Sequence, residues 1–374
     1  MTPWIITILT VVAVYFLDRW ENKHVKSLFD WVPAILLAYL IPAGISALLG
    51  QDFSADQIHD YSKLYFIPLA IVAVMSSLSI AQLKSIGWKP LVLFISGSLW
   101  IATFPFLIAY IFVDSNLISN ILIEQGYWKG IPPIVGSWIG GSTSQLVLKE
   151  LVECPETIFL TVLVLDNILV NIWTILMFQG IKKSNFLNKK LGITNLSMPD
   201  PIKRDEGKKI SKWLCFMILL SFVLITNALI ESFVAKIVVL SAVGLVLSNG
   251  IKNWNFGFVL KIGGILILVV MAVLGLKLKF SLFQFEVDFL SFLVIWLFSH
   301  FFIMLLMAKL LNINTAWVPI ASMANVGGIA TAPAVTAAYE VKWMPHAIIL
   351  AILSMATGTF WGMLTIFLMK NFIV

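Results

Sequence analysis

The chain of 374 residues is 60% hydrophobic and only 12% charged, with a mean hydropathy of +0.97. Soluble domains average about 25% charged residues, so the composition excludes an ordinary soluble fold and points to an integral membrane protein. The net charge of +6 does not indicate nucleic acid, because the basic residues fall in short loops between apolar runs, as the positive-inside rule expects.

Runs near the roughly twenty apolar residues that span a bilayer lie at 3–18, 28–50, 63–84, 90–113, 131–153, 157–178, 213–230, 234–250, 256–276, 287–310, 316–338 and 346–370. No basic stretch precedes the first run and no A-x-A-like site follows it, so it reads as a retained helix rather than a signal peptide. Cys154 and Cys215 sit in or beside apolar runs without a spaced cluster, which argues against a disulfide framework or a metal site. Pro105 is expected to kink the fourth run. Tryptophans near segment ends (Trp4, Trp20, Trp31, Trp88, Trp128, Trp213, Trp254, Trp343) are expected to anchor at the interfaces.

The long polar connection at 180–212 carries Lys182, Lys183, Lys189, Lys190, Lys203, Arg204, Lys208, Lys209 and Lys212 against Asp200, Asp205 and Glu206. Its charge makes it a cytoplasmic linker between membrane halves at 1–179 and 213–374. Arg19, Lys23 and Lys26 place the first loop inside, Asp52, Asp56 and Asp60 place the next outside, and Lys84 and Lys89 return to the inside. If 131–153 crossed fully, the linker would emerge outside. If it dips in and turns back at Gly140-Gly141, the linker lands inside, at the cost of Lys277 and Lys279 outside. A fully crossing broken helix stays open as the alternative.

The two Gly-Gly stretches have matching surroundings. Gly140-Gly141 is followed by Ser142-Thr143-Ser144-Gln145, and Gly327-Gly328 by Ile329-Ala330-Thr331-Ala332-Pro333. Glu153 and Glu340 each lie twelve positions after the second glycine, then come Pro155 and Pro345 and an apolar helix. Gly263-Gly264 lacks such companions. Repetition of the whole succession indicates an internal repeat. Helix breaks at membrane depth are tolerated only where the backbone is buried or lines a cavity, and paired breaks point to a transporter site. The expected fold is an all-α polytopic membrane protein of ten to twelve transmembrane segments in two inverted repeats, each with a Gly-Gly-broken, re-entrant or discontinuous, helix.

Asp166 falls about ten residues into its run, where a charged carboxylate costs at least about 2.5 to 3.5 kcal/mol. It reads as a Na⁺ ligand or a proton acceptor, the other reading being a protonated structural carboxylate. Asn167 and Asn171 share a similar face at i,i+4 and serve either an ion or a helix–helix hydrogen bond. Ser142, Thr143, Ser144 and Gln145 begin a half-helix whose free amides favour an anion, or else simply cap it and let it pack. Asn325, Gly327, Gly328 and Thr331 take the comparable part, with Pro333 in a first helical turn and Thr357 facing the ion site if the repeats align so. His300 is read as a satisfied internal histidine more readily than a proton relay. Lys261 is placed to snorkel to the interface, and Lys149 and Glu150 to close the hairpin at the interface. No phosphate loop, H-E-x-x-H, G-x-S-x-G or Cys/His cluster occurs in the sequence, so no enzyme activity and no cofactor beyond a coupling ion is expected.

Ile139-Gly-Gly-Ser142 leading to Asp166-Asn167, with Ala324-Asn-Val-Gly-Gly-Ile-Ala-Thr-Ala-Pro-Ala334 later, resembles the signature of the YjcL-like membrane proteins of domain of unknown function 819. The likeness runs from about residue 28 onward. It implies a multi-pass protein of the bacterial inner membrane, a family also found in plastids, in the company of inverted-repeat carriers such as sodium/glutamate, bile-acid and cation/proton transporters. Gly327-Gly328-Ile329 stands where the family often has Gly-Gly-Pro, and Ser144-Gln145 where it often has Asn-Phe.

The expected function is ion-coupled (Na⁺ or H⁺) secondary transport of a small anionic organic solute by alternating access, with Asp166 as the coupling group and symport or exchange left open. A membrane sensor or scaffold, or a channel, using the same pocket is the alternative. The expected partners are the solute, membrane lipid and, in a homodimer, a second copy, with no nucleic acid.

Overall fold

The computed structural model describes residues 1–22, 34–112, 115–196, 209–278 and 286–373. Lys23, Lys26, Trp31, Lys203, Arg204, Lys208, Asp200, Asp205, Glu206, Lys279 and the start of the 28–50 run lie outside them. The described residues are helical throughout, with no strand. In chain order they form α1 (Thr2–Asp18), α2 (Ala34–Leu49), α3 (Ile58–Met75), α4 (Ile80–Lys84), α5 (Trp88–Ile111) and α6 (Asn116–Ser119). Next come α7 (Ile131–Leu151), α8 (Glu156–Lys182) and α9 (Ser184–Leu191). The second half holds α10 (Lys212–Leu229), α11 (Phe233–Gly250), α12 (Phe256–Gly275), α13 (Val287–Leu310), α14 (Trp317–Val326), α15 (Gly328–Ala337) and α16 (Met344–Phe372).

Among the described residues seven helices are long and apolar enough to cross a membrane: α3, α5, α8, α10, α12, α13 and α16. The chain is therefore an all-α, multi-pass membrane protein. Apart from the short α4, α6 and α9, six elements occur twice in the same order. Three helices of 16 to 20 residues (α1–α3; α10–α12) precede a 24-residue span (α5; α13). A broken element (α7; α14–α15) and a long final helix of 27 or 29 residues (α8; α16) follow.

By contacts the chain divides into two compact units, each drawing on both ends of the sequence. One comprises Met1–Leu78, Pro155–Ile168 and Glu206–Phe285, the other Ser79–Cys154, Leu169–Asp205 and Glu286–Val374. In the first unit α3 packs against α10, α11 and α12, around Leu69, Val72, Cys215, Leu219, Leu240 and Val259. Glycines set the spacing: a Cβ on Gly244 would lie 2.6 Å from the Met75 Cβ, one on Gly263 2.9 Å from the Val74 side chain, and Gly275 rests on the Tyr39 carbonyl. Where lipid is as apolar as the helix surfaces, such close approach replaces the hydrophobic drive to associate.

The run expected at 63–84 is instead a helix over Ile58–Met75, a turn and the short α4. Ser76 and Ser77 hydroxyls donate back to the Ala73 and Val74 carbonyls (2.9 and 2.6 Å), competing with helix continuation. Trp254 Nε1 donates to the Ser76 carbonyl (2.9 Å) and Ser248 Oγ to that of Leu78 (2.9 Å), so the freed acceptors are satisfied by side chains. Trp254 is thus a core donor rather than an interfacial anchor. Trp343, stacked on Trp317 at 4.9 Å between ring centroids, and Trp128 are buried as well. Trp20, Trp88 and Trp213 are exposed, as an interfacial belt requires.

Replacing Gly275 with Ala drives a methyl into the Tyr39 carbonyl and should cost about 1–3 kcal/mol by overpacking. Gly264 faces open space, and Ala there should be neutral or stabilising by about 0.5–1 kcal/mol through lower unfolded-state and helix entropy costs. Thermal unfolding in detergent compares the two.

Candidate functional site

Both Gly-Gly stretches break their helices, and they do so in one way. In α7 the backbone leaves helical geometry at Gly141 (φ 68°, ψ −167°), a region open essentially to glycine alone. The arms 131–140 and 142–151 lie side by side: a Cβ on Gly136 would meet the Gln145 backbone nitrogen at 2.8 Å. In an unbroken helix those residues would be about 13 Å apart along the axis. The two arms thus fold back on each other at Gly141 as a hairpin. At the second break Gly328 has φ 69°, and α14 and α15 pack against each other. The first glycine of each pair lies beneath a hydroxyl four residues on, Gly140 under Ser144 and Gly327 under Thr331.

The second unit brings the two breaks together through α16. Gly358 meets the Gly140 backbone directly, and Thr359 Oγ1 donates to Ser144 Oγ (3.1 Å). Ser354 Oγ donates to the Ile139 carbonyl at the end of the first arm and also lies 3.1 Å from Asn325 Oδ1, two residues before the second pair. From α5, Ser98 Oγ reaches the same Asn325 oxygen at 3.0 Å. Both arms of the second hairpin pack on α7. Around this centre Trp173 Nε1 donates to Ser322 Oγ (3.0 Å), which is 3.2 Å from His300 Nε2. His300 is wholly buried, in keeping with an internally bonded histidine. Trp138 and Trp296 pack at 4.6 Å between ring centroids.

Three polar atoms within four residues of a break are buried without a protein partner: Thr143 Oγ1, Asn325 Nδ2 and Thr331 Oγ1. More than about nine in ten such groups in folded proteins have a partner, so each of these atoms marks a place beside a break where a polar ligand could complete the bonding. Other buried atoms are unpartnered elsewhere, Thr7 and Thr10 hydroxyls among them. Thr7 and Thr10 lie within the unbroken α1. The arm beginning at Ser142 adds first-turn amides that a helix start leaves without intrahelical acceptors.

Of the residues expected at a site, Gly140, Gly141, Thr143, Ser144, Gln145, Asn325, Gly327, Gly328 and Thr331 belong to this unit. Gln145 is buried, and Ser142 and Thr331 are half-buried. Thr357 is half-buried too, and its hydroxyl donates to the Leu353 carbonyl (3.0 Å). Asp166 is buried and Asn167 half-buried on the part of α8 that falls in the first unit, whereas the half-buried Asn171 falls in the second. The side chains of Lys149 and Glu150 are 5% and 6% exposed and form an ion pair at 3.2 Å. Ser354, Ser98 and Thr359 were not singled out by the sequence reading, since a lone serine or threonine in an apolar run resembles any helix residue that bonds its own backbone.

Fold and site together define a polytopic helical membrane protein built around two Gly-broken hairpins. The chain belongs to the DUF819 family, described as proteins of unknown function, whose model matches residues 6–372. Comparison with curated proteins finds no match.

Because the second glycine of each pair carries the same positive φ, Gly141→Ala and Gly328→Ala should each destabilise the protein by about 1–3 kcal/mol. Gly192, also at positive φ (70°) but in an open turn after α9, provides a comparison outside the hairpins. Its Ala variant should lose stability while leaving ligand binding intact, whereas the hairpin variants should lose both. Thermal unfolding and ligand titration in detergent measure the two effects.

Proposed function

We propose that this protein is an ion-coupled secondary carrier of a small anionic organic solute, working by alternating access in the bacterial inner membrane, and that it is not an enzyme. The observation that carries the reading is the set of unpartnered buried groups, Thr143, Asn325 and Thr331, beside two matching helix breaks. Hydroxyls, a side-chain amide and helix-start amides suit a carboxylate or phosphate, which gains from donors and from the positive end of a helix dipole. Paired discontinuous elements carrying a central site are the pattern of inverted-repeat carriers.

Crossing parity supports inversion of the halves 1–179 and 213–374. With the hairpins taken as re-entrant and the shorter α1, α2 and α11 taken to cross as well, each half crosses the membrane five times, an odd number, so the second half begins on the opposite side from the first. The lysine-rich linker at 180–212 then lies in the cytoplasm, as its charge requires.

Asp166 is the coupling carboxylate in this reading, binding Na⁺ or a proton, with Asn167 and Asn171 on the same helix. A buried carboxylate within a membrane span is expensive to keep charged and is a functional group by default.

Two measurements test the proposal. In proteoliposomes, Asp166→Asn should abolish concentrative uptake while the protein stays folded; undiminished accumulation would remove Asp166 from the mechanism. Thr143→Val together with Thr331→Val deletes two hydroxyls that have no protein partner, so ligand-free stability should stay level or rise. Affinity for the solute should fall by tenfold or more, at about 1.4 kcal/mol per tenfold. A loss of ligand-free stability with unchanged affinity would make both hydroxyls structural.

A further inference from the structure

A second feature lies in the first unit, among residues the carrier mechanism does not use. The starts of α10 and α12 are clamped side by side: the Ile210 amide donates to the Asn253 carbonyl (2.9 Å), and Asn255 Nδ2 donates to the Ile210 carbonyl (3.3 Å). Between them opens a groove of about 350 Å³ lined by Lys212, Asn255, Gly257, Phe258, Lys261, Ile262 and Ile265. Both lysines are exposed, and among the described residues neither ammonium pairs with a carboxylate.

The layout is ordered by depth. Lys212 is the first residue of one candidate span and Lys261 the sixth of another, which puts the second Cα about 7–8 Å further along its helix at 1.5 Å per residue. A lysine at that depth lifts its ammonium toward the headgroup level while its stem stays in apolar surroundings. Ile262 and Ile265 continue the groove deeper along the same helix, and Phe258 forms its upper apolar wall. Cationic groups at the mouth and aliphatic side chains below match the two ends of one molecule. The loops adjoining the mouth add Lys209 and Lys252, and basic pockets between membrane helices on the cytoplasmic side are where anionic headgroups bind.

We infer that this groove binds an anionic phospholipid, its phosphate between Lys212 and Lys261 and an acyl chain along Phe258, Ile262 and Ile265. A free phosphate would leave the apolar floor uncovered, and a zwitterionic lipid would bring its own cation to the two lysines.

The test uses the full chain in a neutral detergent, with phosphatidylglycerol or phosphatidylcholine added at equal mole fraction, and needs no transported solute. Phosphatidylglycerol should raise the unfolding temperature by several degrees over phosphatidylcholine, because a ligand specific to the folded state stabilises it by mass action. It should also remain bound in native mass spectra. Lys212→Gln with Lys261→Gln should abolish the difference, and Lys212→Arg with Lys261→Arg should keep it. Equal stabilisation by the two lipids, stabilisation by inorganic phosphate as large as by phosphatidylglycerol, or undiminished selectivity in the glutamine variant would each overturn the assignment. So would a dimer that persists without lipid and dissociates in the glutamine variant, which would make a second copy the occupant.

Discussion

A helix that breaks leaves amides and carbonyls without intrahelical partners, and the second unit holds two places where that happens. Each break uses the same local device. A glycine at φ near +68° turns the chain, and the glycine before it leaves room for a hydroxyl one helical turn on. Any side chain at Gly140 would collide with Ser144 and Gly358, and any at Gly327 with Thr331 and Met323. The two glycines of a pair thus do different jobs, one conformational and one spatial.

Burial of the breaks then depends on α16, which presents Ser354, Gly358, Thr359 and Gly362 to the first hairpin. Small residues let the backbones meet, and the hydroxyls bond what the break exposes. The first unit uses the same principle, with Gly244 of α11 and Gly263 and Gly275 of α12 packed against α3 and α2. Its interruption after Met75 is closed by Trp254, Ser248 and Asn249. Large polar and aromatic side chains seal that helix end, and nothing there is left open for a ligand. At the hairpins, by contrast, three polar atoms stay unpartnered.

Much of this was legible in the residues. The apolar runs located the spans because length and hydropathy alone decide them, and the hairpins announced themselves through glycine pairs followed by hydroxyls. The return of the first arm along itself was not legible, since a Gly-Gly pair permits either a kink or a reversal; Gly136, one turn earlier, is the residue that lets the arms touch. The stop after Met75 was hidden because Ser76 and Ser77 barely lower the average of so apolar a run. Tryptophans at segment ends looked interfacial, yet a segment end can itself be buried, as at Trp254 and Trp343.

Comparing the final helices of the two halves shows how far the repetition goes. Asp166 is the eleventh residue of α8 and Ser354 the eleventh of α16. One half places an ionisable carboxylate at the position where the other places a hydroxyl that bonds both hairpins. The hairpins likewise share backbone geometry but differ in their polar side chains: Asn325 stands where the first copy, counted back from its glycine pair, has the buried Trp138. Backbone geometry is therefore what the two halves hold in common, because both must solve the same problem of unsatisfied amides. Charge and hydrogen-bonding capacity are free to differ between the two.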